Sequence, residues 1–200
     1  MRFSNILEAA LGTKPKIKIL RALLKVKAPL TGRKIALLSN LNHRTCLLAL
    51  KEFVKEGFIS ARAAGKSNIY TLNTENIFLK ESLSRLFTEE TNLLPALLKR
   101  VSARLKGIAQ AMILFGSVAI KSEQPDSDID ICLVVETLSD KKKVENIIDR
   151  ERDWVSHNYG NELAFYIITK NDFLRKFRAK NKLVREIADK GIFFAGKRFF

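Results

Sequence analysis

Residues 112–135 read MILFGSVAIKSEQPDSDIDICLVV, and the fold turns on how this stretch is parsed. An apolar run from Met112 to Phe115 breaks at Gly116-Ser117. A polar loop follows, and Asp128 and Asp130 then lead into a second apolar run, Ile131 to Val135. Two strands bracketing a turn and a loop account for this pattern, and the two-residue period of a strand sets Asp128 and Asp130 on one face. Carboxylates held side by side repel one another unless a cation lies between them, and Mg²⁺ favours such an all-oxygen setting. The residues alone admit two readings: a cation-binding pair, or two surface acids at a strand edge.

Outward from this stretch, the chain supplies the rest of an α/β unit. Val144, Ile147, Ile148, Trp154 and Val155 are spaced as one face of a helix. Glu162 to Ile168 reads as a third strand after the turn at His157–Asn161. A helix begins near Asp172 and continues to Ala188, and Gly191–Gly196 makes a short terminal strand or tail. Lys141-Lys142-Lys143 reads as a solvated helix start. Upstream, Leu93, Leu94, Leu97, Leu98, Val101, Leu105 and Ile108 mark a helix with Pro95 near its beginning, where a missing N–H costs little. Arg100, Arg104 and Lys106 are expected on its solvent side.

The chain carries a net charge of +15, and its distribution is uneven. Residues 1–80 hold 15 Lys/Arg against 4 Asp/Glu, and residues 81–200 hold 21 against 17. The basic surplus therefore sits in the first module, as expected of a part that meets a phosphate backbone. A uniformly basic soluble surface is the plainer alternative. Cys46 and Cys132 lie in apolar patterns and read as buried hydrophobes. No apolar run approaches the ~20 residues of a membrane span, and the first residues lack a secretory signal pattern, so a cytoplasmic protein without membrane partners is expected.

Within the first module, Pro15–Val26 is amphipathic, with Ile17, Leu20, Leu23 and Leu24 on one face. Thr31 is placed to cap a short helix through Leu38. A longer helix from His43 to Lys55 buries Cys46 or Leu47, Leu50, Phe53 and Val54, and Gly57 stops it. Phe58–Arg62 and Ile69–Leu72 flank a glycine-containing basic turn and read as a hairpin.

This order of helices and hairpin resembles the winged helix-turn-helix domains. Leu30–Ala36 before the turn, Gly57-Phe58-Ile59 after the third helix, and Gly65, Tyr70 and Leu72 at the end of the wing carry the resemblance. It implies DNA contacts from Asn42, His43, Arg44, Thr45 and Lys51 on the third helix, and from Arg62, Lys66, Ser67 and Asn68 on the wing. Arg44 would offer a fork to a base edge, and the lysines would meet phosphates. Winged helices also act as protein-interaction or dimerisation modules.

Gly116-Ser117, the polar loop ending in Ser127, and Asp128-Ile129-Asp130 resemble the signature of the nucleotidyltransferase superfamily that includes polymerase beta and the minimal nucleotidyltransferases. The resemblance implies that Asp128 and Asp130 hold two Mg²⁺ ions and that Gly116 and Ser117 lie beside the triphosphate of an NTP. Lys121 is the nearest cation where active small members often carry arginine. Such members usually place a third carboxylate, the general base, on the strand matching Glu162–Ile168. Its position falls at or near Ala164, so Glu162, two residues earlier on the same face, is the candidate, with His157 as an alternative.

The expected architecture is α+β: a winged helix-turn-helix domain over 1–76, a helical connector over 77–111 packing on the second domain, and a nucleotidyltransferase-type α/β domain with a small mixed sheet over 112–200. Two functions fit. One is a DNA-binding protein whose second domain transfers a nucleotide from an NTP to a hydroxyl, including one on a partner protein. The other is a transcriptional regulator whose second domain binds nucleotide or a partner without catalysis. A homodimer is expected, because one recognition helix reads few bases.

Overall fold

The computed structural model describes residues 3–65 and 67–199, which fall into two compact units, Met1–Leu93 and Leu94–Phe200. In the first, α1 (Ile6–Leu11) precedes α2 (Lys14–Val26), whose N-terminus is capped by the Thr13 hydroxyl accepting from the Lys16 N–H, with Pro15 in the first turn. Strand β1 (Leu30–Thr31) leads directly into α3 (Gly32–Leu38), and the Thr31 hydroxyl accepts from the Lys34 N–H as the cap spacing requires. Helix α4 (His43–Lys55) ends before Gly57, which adopts the left-handed conformation. Strands β2 (Ile59–Ala64) and β3 (Ser67–Leu72) form the hairpin, and β1 pairs with β3 to give a three-stranded antiparallel sheet in the order β1-β3-β2. Helices α2 to α4 with this sheet are a winged helix-turn-helix fold.

The core of this unit is built from Ile19, Leu20, Leu23, Ile35, Leu50, Phe53 and Phe58, and the last two rings meet edge to face at 6.0 Å. Cys46 rather than Leu47 is the fully buried member of α4's apolar stripe, and burial pushes its thiol up to about 11. Val54 departs from the expected stripe and is 36% exposed.

A π-helical turn at Leu79–Leu83 runs into the 21-residue helix α5 (Ser84–Arg104). The connector expected over 77–111 is divided. Leu79, Leu83 and Phe87 belong to the first core, whereas Leu97, Leu98, Val101 and Leu105 belong to a second. Pro95 therefore lies in the interior of a helix, not near its start. It removes the N–H that would bond to the Thr91 carbonyl, so the helical ladder is interrupted one residue past the division between the units.

In the second unit, β4 (Ala109–Phe115), β5 (Ile129–Val135), β6 (Leu163–Thr169) and β7 (Ile192–Gly196) form a mixed sheet in the order β6-β5-β4-β7. β4 runs antiparallel to β5 and β7, and β5 and β6 are parallel. Helices α5 and α7 (Leu138–Tyr159) contribute to the core that takes Ile131, Leu133 and Val135 from β5. Helices α8 (Lys170–Arg178) and α9 (Lys182–Lys190) contribute to the core that takes Cys132 and Val134. Burial on both faces explains why this strand reads as a continuous apolar run.

Arg104 and Lys106 are exposed, as the helical period implies, whereas Arg100 is only partly exposed. Glu151 on α7 is 5% exposed, and it accepts from Arg100 Nε at 2.7 Å and pairs with Arg104 Nε at 3.3 Å. The Arg100 guanidinium also lies over the Trp154 ring, 3.5 Å from its centroid. A carboxylate buried in this core needs a compensating cation, and α5 supplies two.

Candidate functional site

Strand order and direction bring the ends of three strands to one end of the second sheet. Gly116 follows β4, Asp128 precedes β5, and Glu162 precedes β6. Phe115 pairs with Asp130 across β4 and β5, so the Gly-Ser turn and the second acid are neighbours by register. Gly116 has φ +71°, and a Cβ built on it would collide with the Asp130 carboxylate. The residue type is thus required twice, by the left-handed backbone and by the close approach of Asp130. A single turn, α6 (Gly116–Ala119), follows, with Ser117 partly buried at its start.

Asp130 shares the face of Cys132 and Val134, on the α8/α9 side of the sheet. Its carboxyl is raised above the ordinary range, first by burial and then by the charges of Asp128 and Glu186. Nothing in the strand period pointed to Glu186, because it comes from α9, 56 positions further along the chain. An exposed Asp128 beside a half-buried Asp130 is a donor set that a divalent cation would relieve. Among the described residues, no group of three or more His, Cys, Asp or Glu side chains is arranged to hold a metal ion.

The parallel register sets Asp130 opposite Ala164, so no third carboxylate stands beside it on β6. Glu162 is exposed at the start of that strand, and its carbonyl accepts from the Ile129 N–H at 2.8 Å. It lines a recess of about 440 Å³ together with Asp128, Arg152, Asp153, Ser156 and Ala164. Arg152 is held there by its Nε donating to the Leu163 carbonyl at 3.2 Å and its Nη1 to Asp149 at 3.1 Å. Asn161 donates to the carbonyls of Ser127, at 3.0 Å, and Pro125, at 3.4 Å, and so ties the loop before Asp128 to the start of β6. Sequence reasoning passed over Arg152 and Asn161, since an arginine on a polar helix face and an asparagine in a turn carry no distinguishing signal. Lys121 is exposed, with φ +59°, and His157 is exposed near the end of α7.

In the first unit, a groove of about 880 Å³ runs between α4 and the wing and is lined by His43, Lys51, Ser67 and Asn68, all expected contacts. Arg33 lines it as well, from the start of α3. Arg44, Thr45 and Arg62 are exposed but do not line the groove. The Asn42 side chain accepts from the Arg44 N–H at 2.9 Å and so caps α4, a local duty that explains asparagine there without any ligand. Lys66 lies outside the described residues.

A family model for the nucleotidyltransferase domain matches residues 94–193, half of the chain. No curated protein matches. Among solved structures, the chain is similar to TrmBL2, an archaeal chromatin protein, at 16% identity over 90% of this chain and 71% of that one, with a TM-score of 0.29. It is also similar to human N-acetylserotonin methyltransferase in complex with SAM, at 10% identity and a TM-score of 0.28. That match covers 55% of this chain, which spans 36% of the methyltransferase.

Proposed function

Because the chain belongs to the nucleotidyltransferase domain family, we propose that its second unit transfers a nucleotide from an NTP to a hydroxyl acceptor and that its first unit binds duplex DNA. One observation carries the enzymatic half: the Gly116-Ser117 turn packs directly against Asp130, with Asp128 at the same strand end. Asp128 and Asp130 would hold Mg²⁺, and a cation there would offset both the burial and the neighbouring charges that raise Asp130. When bound, the metal supplies charge neutralisation at the phosphates. Gly116 lets the backbone come close to a ligand, and Ser117 offers a hydroxyl and an N–H to the outer phosphates. Lys121 adds a cation for them. Glu162, in the recess beside Asp128, takes the proton of the acceptor hydroxyl.

For the first unit, His43, Lys51, Asn68 and Ser67 around one groove, with Arg44, Thr45, Arg62 and Lys66 nearby in the sequence, support contacts to phosphate and base edges. Two copies reading adjacent half-sites in the cytoplasm complete this proposal. The second reading, a DNA-binding regulator whose other unit binds nucleotide or a protein without turnover, is favoured by Ala164 standing opposite Asp130.

Incubation with labelled ATP, CTP, GTP or UTP, Mg²⁺ and cell lysate separates the two. Label transfer that is lost in Asp128→Ala and Asp130→Ala is expected. Nucleotide binding without transfer selects the regulator, and absence of both nucleotide binding and transfer refutes the enzymatic reading. Duplex DNA binding that falls steeply with salt and weakens in Lys51→Ala is expected of the first unit. No binding at low salt would refute that half.

A further inference from the structure

Nucleotidyl transfer requires the attacking and leaving oxygens to lie roughly in line on opposite sides of the α-phosphorus. At the site end of the sheet the order is Glu162, then Asp128 and Asp130, then Gly116, following strands β6, β5 and β4. A triphosphate tail at Gly116-Ser117 lies on the β4 side, so the acceptor must approach from the β6 side. The recess of about 440 Å³ opens there, against Asp128. Resting on the nucleotidyltransferase reading, we propose that this recess is the acceptor subsite and that it selects a hydroxyl carried beside a positive charge.

The charge of the recess argues for that class. Beside Asp128, Asp153 and Glu162 line it against one cation among the described lining residues, Arg152. That guanidinium is already committed through Nε to the Leu163 carbonyl and through Nη1 to Asp149. An anionic acceptor, such as the 3′ end of a nucleic acid, would meet Asp153 and Glu162 beside Asp128, and an arginine with two of its nitrogens engaged. None of the described side chains lining the recess is aromatic, so a nucleobase finds no stacking platform. Ala164, which stands opposite Asp130 in the register, also lines the recess. Asn161 ties the Pro125 and Ser127 carbonyls to the start of β6, next in sequence to Glu162.

In the step this implies, the acceptor oxygen forms a bond to the α-phosphorus as the bond from that phosphorus to the α–β bridging oxygen breaks. Pyrophosphate leaves with the electron pair, and the hydroxyl proton passes to the Glu162 carboxylate. Asp153 touches no reacting atom and acts by holding the cationic neighbour.

Three acceptors test the assignment on the full chain with labelled NTP and Mg²⁺: a short peptide with one serine flanked by lysines, the same peptide with glutamates, and a single-stranded oligonucleotide with a 3′ hydroxyl. The lysine peptide is expected to exceed the other two in kcat/KM by about tenfold, which corresponds to about 1.4 kcal/mol. Asp153→Lys is expected to raise KM for the lysine peptide and lower it for the glutamate peptide, a crossing that a folding defect does not produce. Equal or better use of the glutamate peptide or oligonucleotide overturns the inference, as does nucleotide bound with none of the three labelled. Absence of Mg²⁺-dependent nucleotide binding by the wild-type chain instead sinks the underlying nucleotidyltransferase reading, and the subsite with it.

Discussion

Gly116→Ala is the most direct probe of the site, because the structure separates its cost into two parts. The first is backbone strain. Gly116 has φ +71°, where a residue with a Cβ pays about 1–2 kcal/mol. The second is a collision, since the new Cβ lands on the Asp130 carboxylate and 3.0 Å from its Cγ. Overpacking of that kind costs about 1–3 kcal/mol when the neighbour cannot yield. Asp130 is half-buried and can rotate in part, so a total of about 2–3 kcal/mol is expected. Gly160 provides the control: it has φ +75° at the end of α7, and a Cβ there would meet nothing within 4 Å, so Gly160→Ala carries the strain alone. Urea unfolding of the full chain, followed by fluorescence of Trp154, reports on the second unit selectively because this is the chain's one tryptophan. Mn²⁺ binding to the folded variants reads the displacement of Asp130 and should weaken in Gly116→Ala but not in Gly160→Ala. If the two variants are equally stable and bind Mn²⁺ alike, the close approach of Gly116 to Asp130 is wrong.

Three further outcomes follow from the same unit. Glu151→Ala leaves Arg100 and Arg104 without their carboxylate; both guanidiniums still reach water, so about 2–3 kcal/mol is expected, less than the ~3–5 of a fully buried pair, and the Trp154 unfolding curve measures it. Asp130 has its folded-state proton affinity raised by burial, Asp128 and Glu186, so folding is favoured where it is protonated and that contribution is lost as pH rises through its folded pKa. Asp130→Asn in metal-free buffer should therefore be more stable than wild type at neutral pH, with the difference shrinking on acidification; a difference that grows at low pH would contradict the assignment. Asn161→Ala removes two hydrogen bonds to loop carbonyls, and about 1 kcal/mol of stability together with faster proteolysis between Ser122 and Asp128 is expected.

Much of the architecture was legible in the chain because its signals are local. Thr31 and Gly57 mark helix ends through cap chemistry that needs only neighbouring residues, and β5 announces burial on both faces by its unbroken apolar run. What escaped depends on partners distant in sequence. Arg100 looks solvent-facing by helical period, yet Glu151, 51 positions on, draws it in, while Arg104 pairs with the same carboxylate and stays exposed. A helix read from Leu93 puts Pro95 near its start, but α5 begins at Ser84, and a proline tolerated in an interior gives no local sign of being one. Asn42 is a local case, since its cap duty on α4 is as readable from the sequence as that of Thr31 on α3.

The site divides along the same line. Gly116, Asp128 and Asp130 are close in the chain, and an antiparallel pair joined by a loop can hardly avoid bringing them together. The β6 side of the site instead depends on the parallel register, which is set across the whole of α7, and a slip of one residue would turn Ala164 away from Asp130. The Ile129 N–H bonding to the Glu162 carbonyl, and Asn161 reaching Ser127, lock that register at the end where the acids lie. Those contacts leave a methyl group beside Asp130 and carry Glu162 to the mouth of the recess. Any proton transfer by Glu162 must therefore occur on the recess side of Asp128, not between the two acids, and Ala164→Asp is the substitution that would move a carboxylate to Asp130 itself.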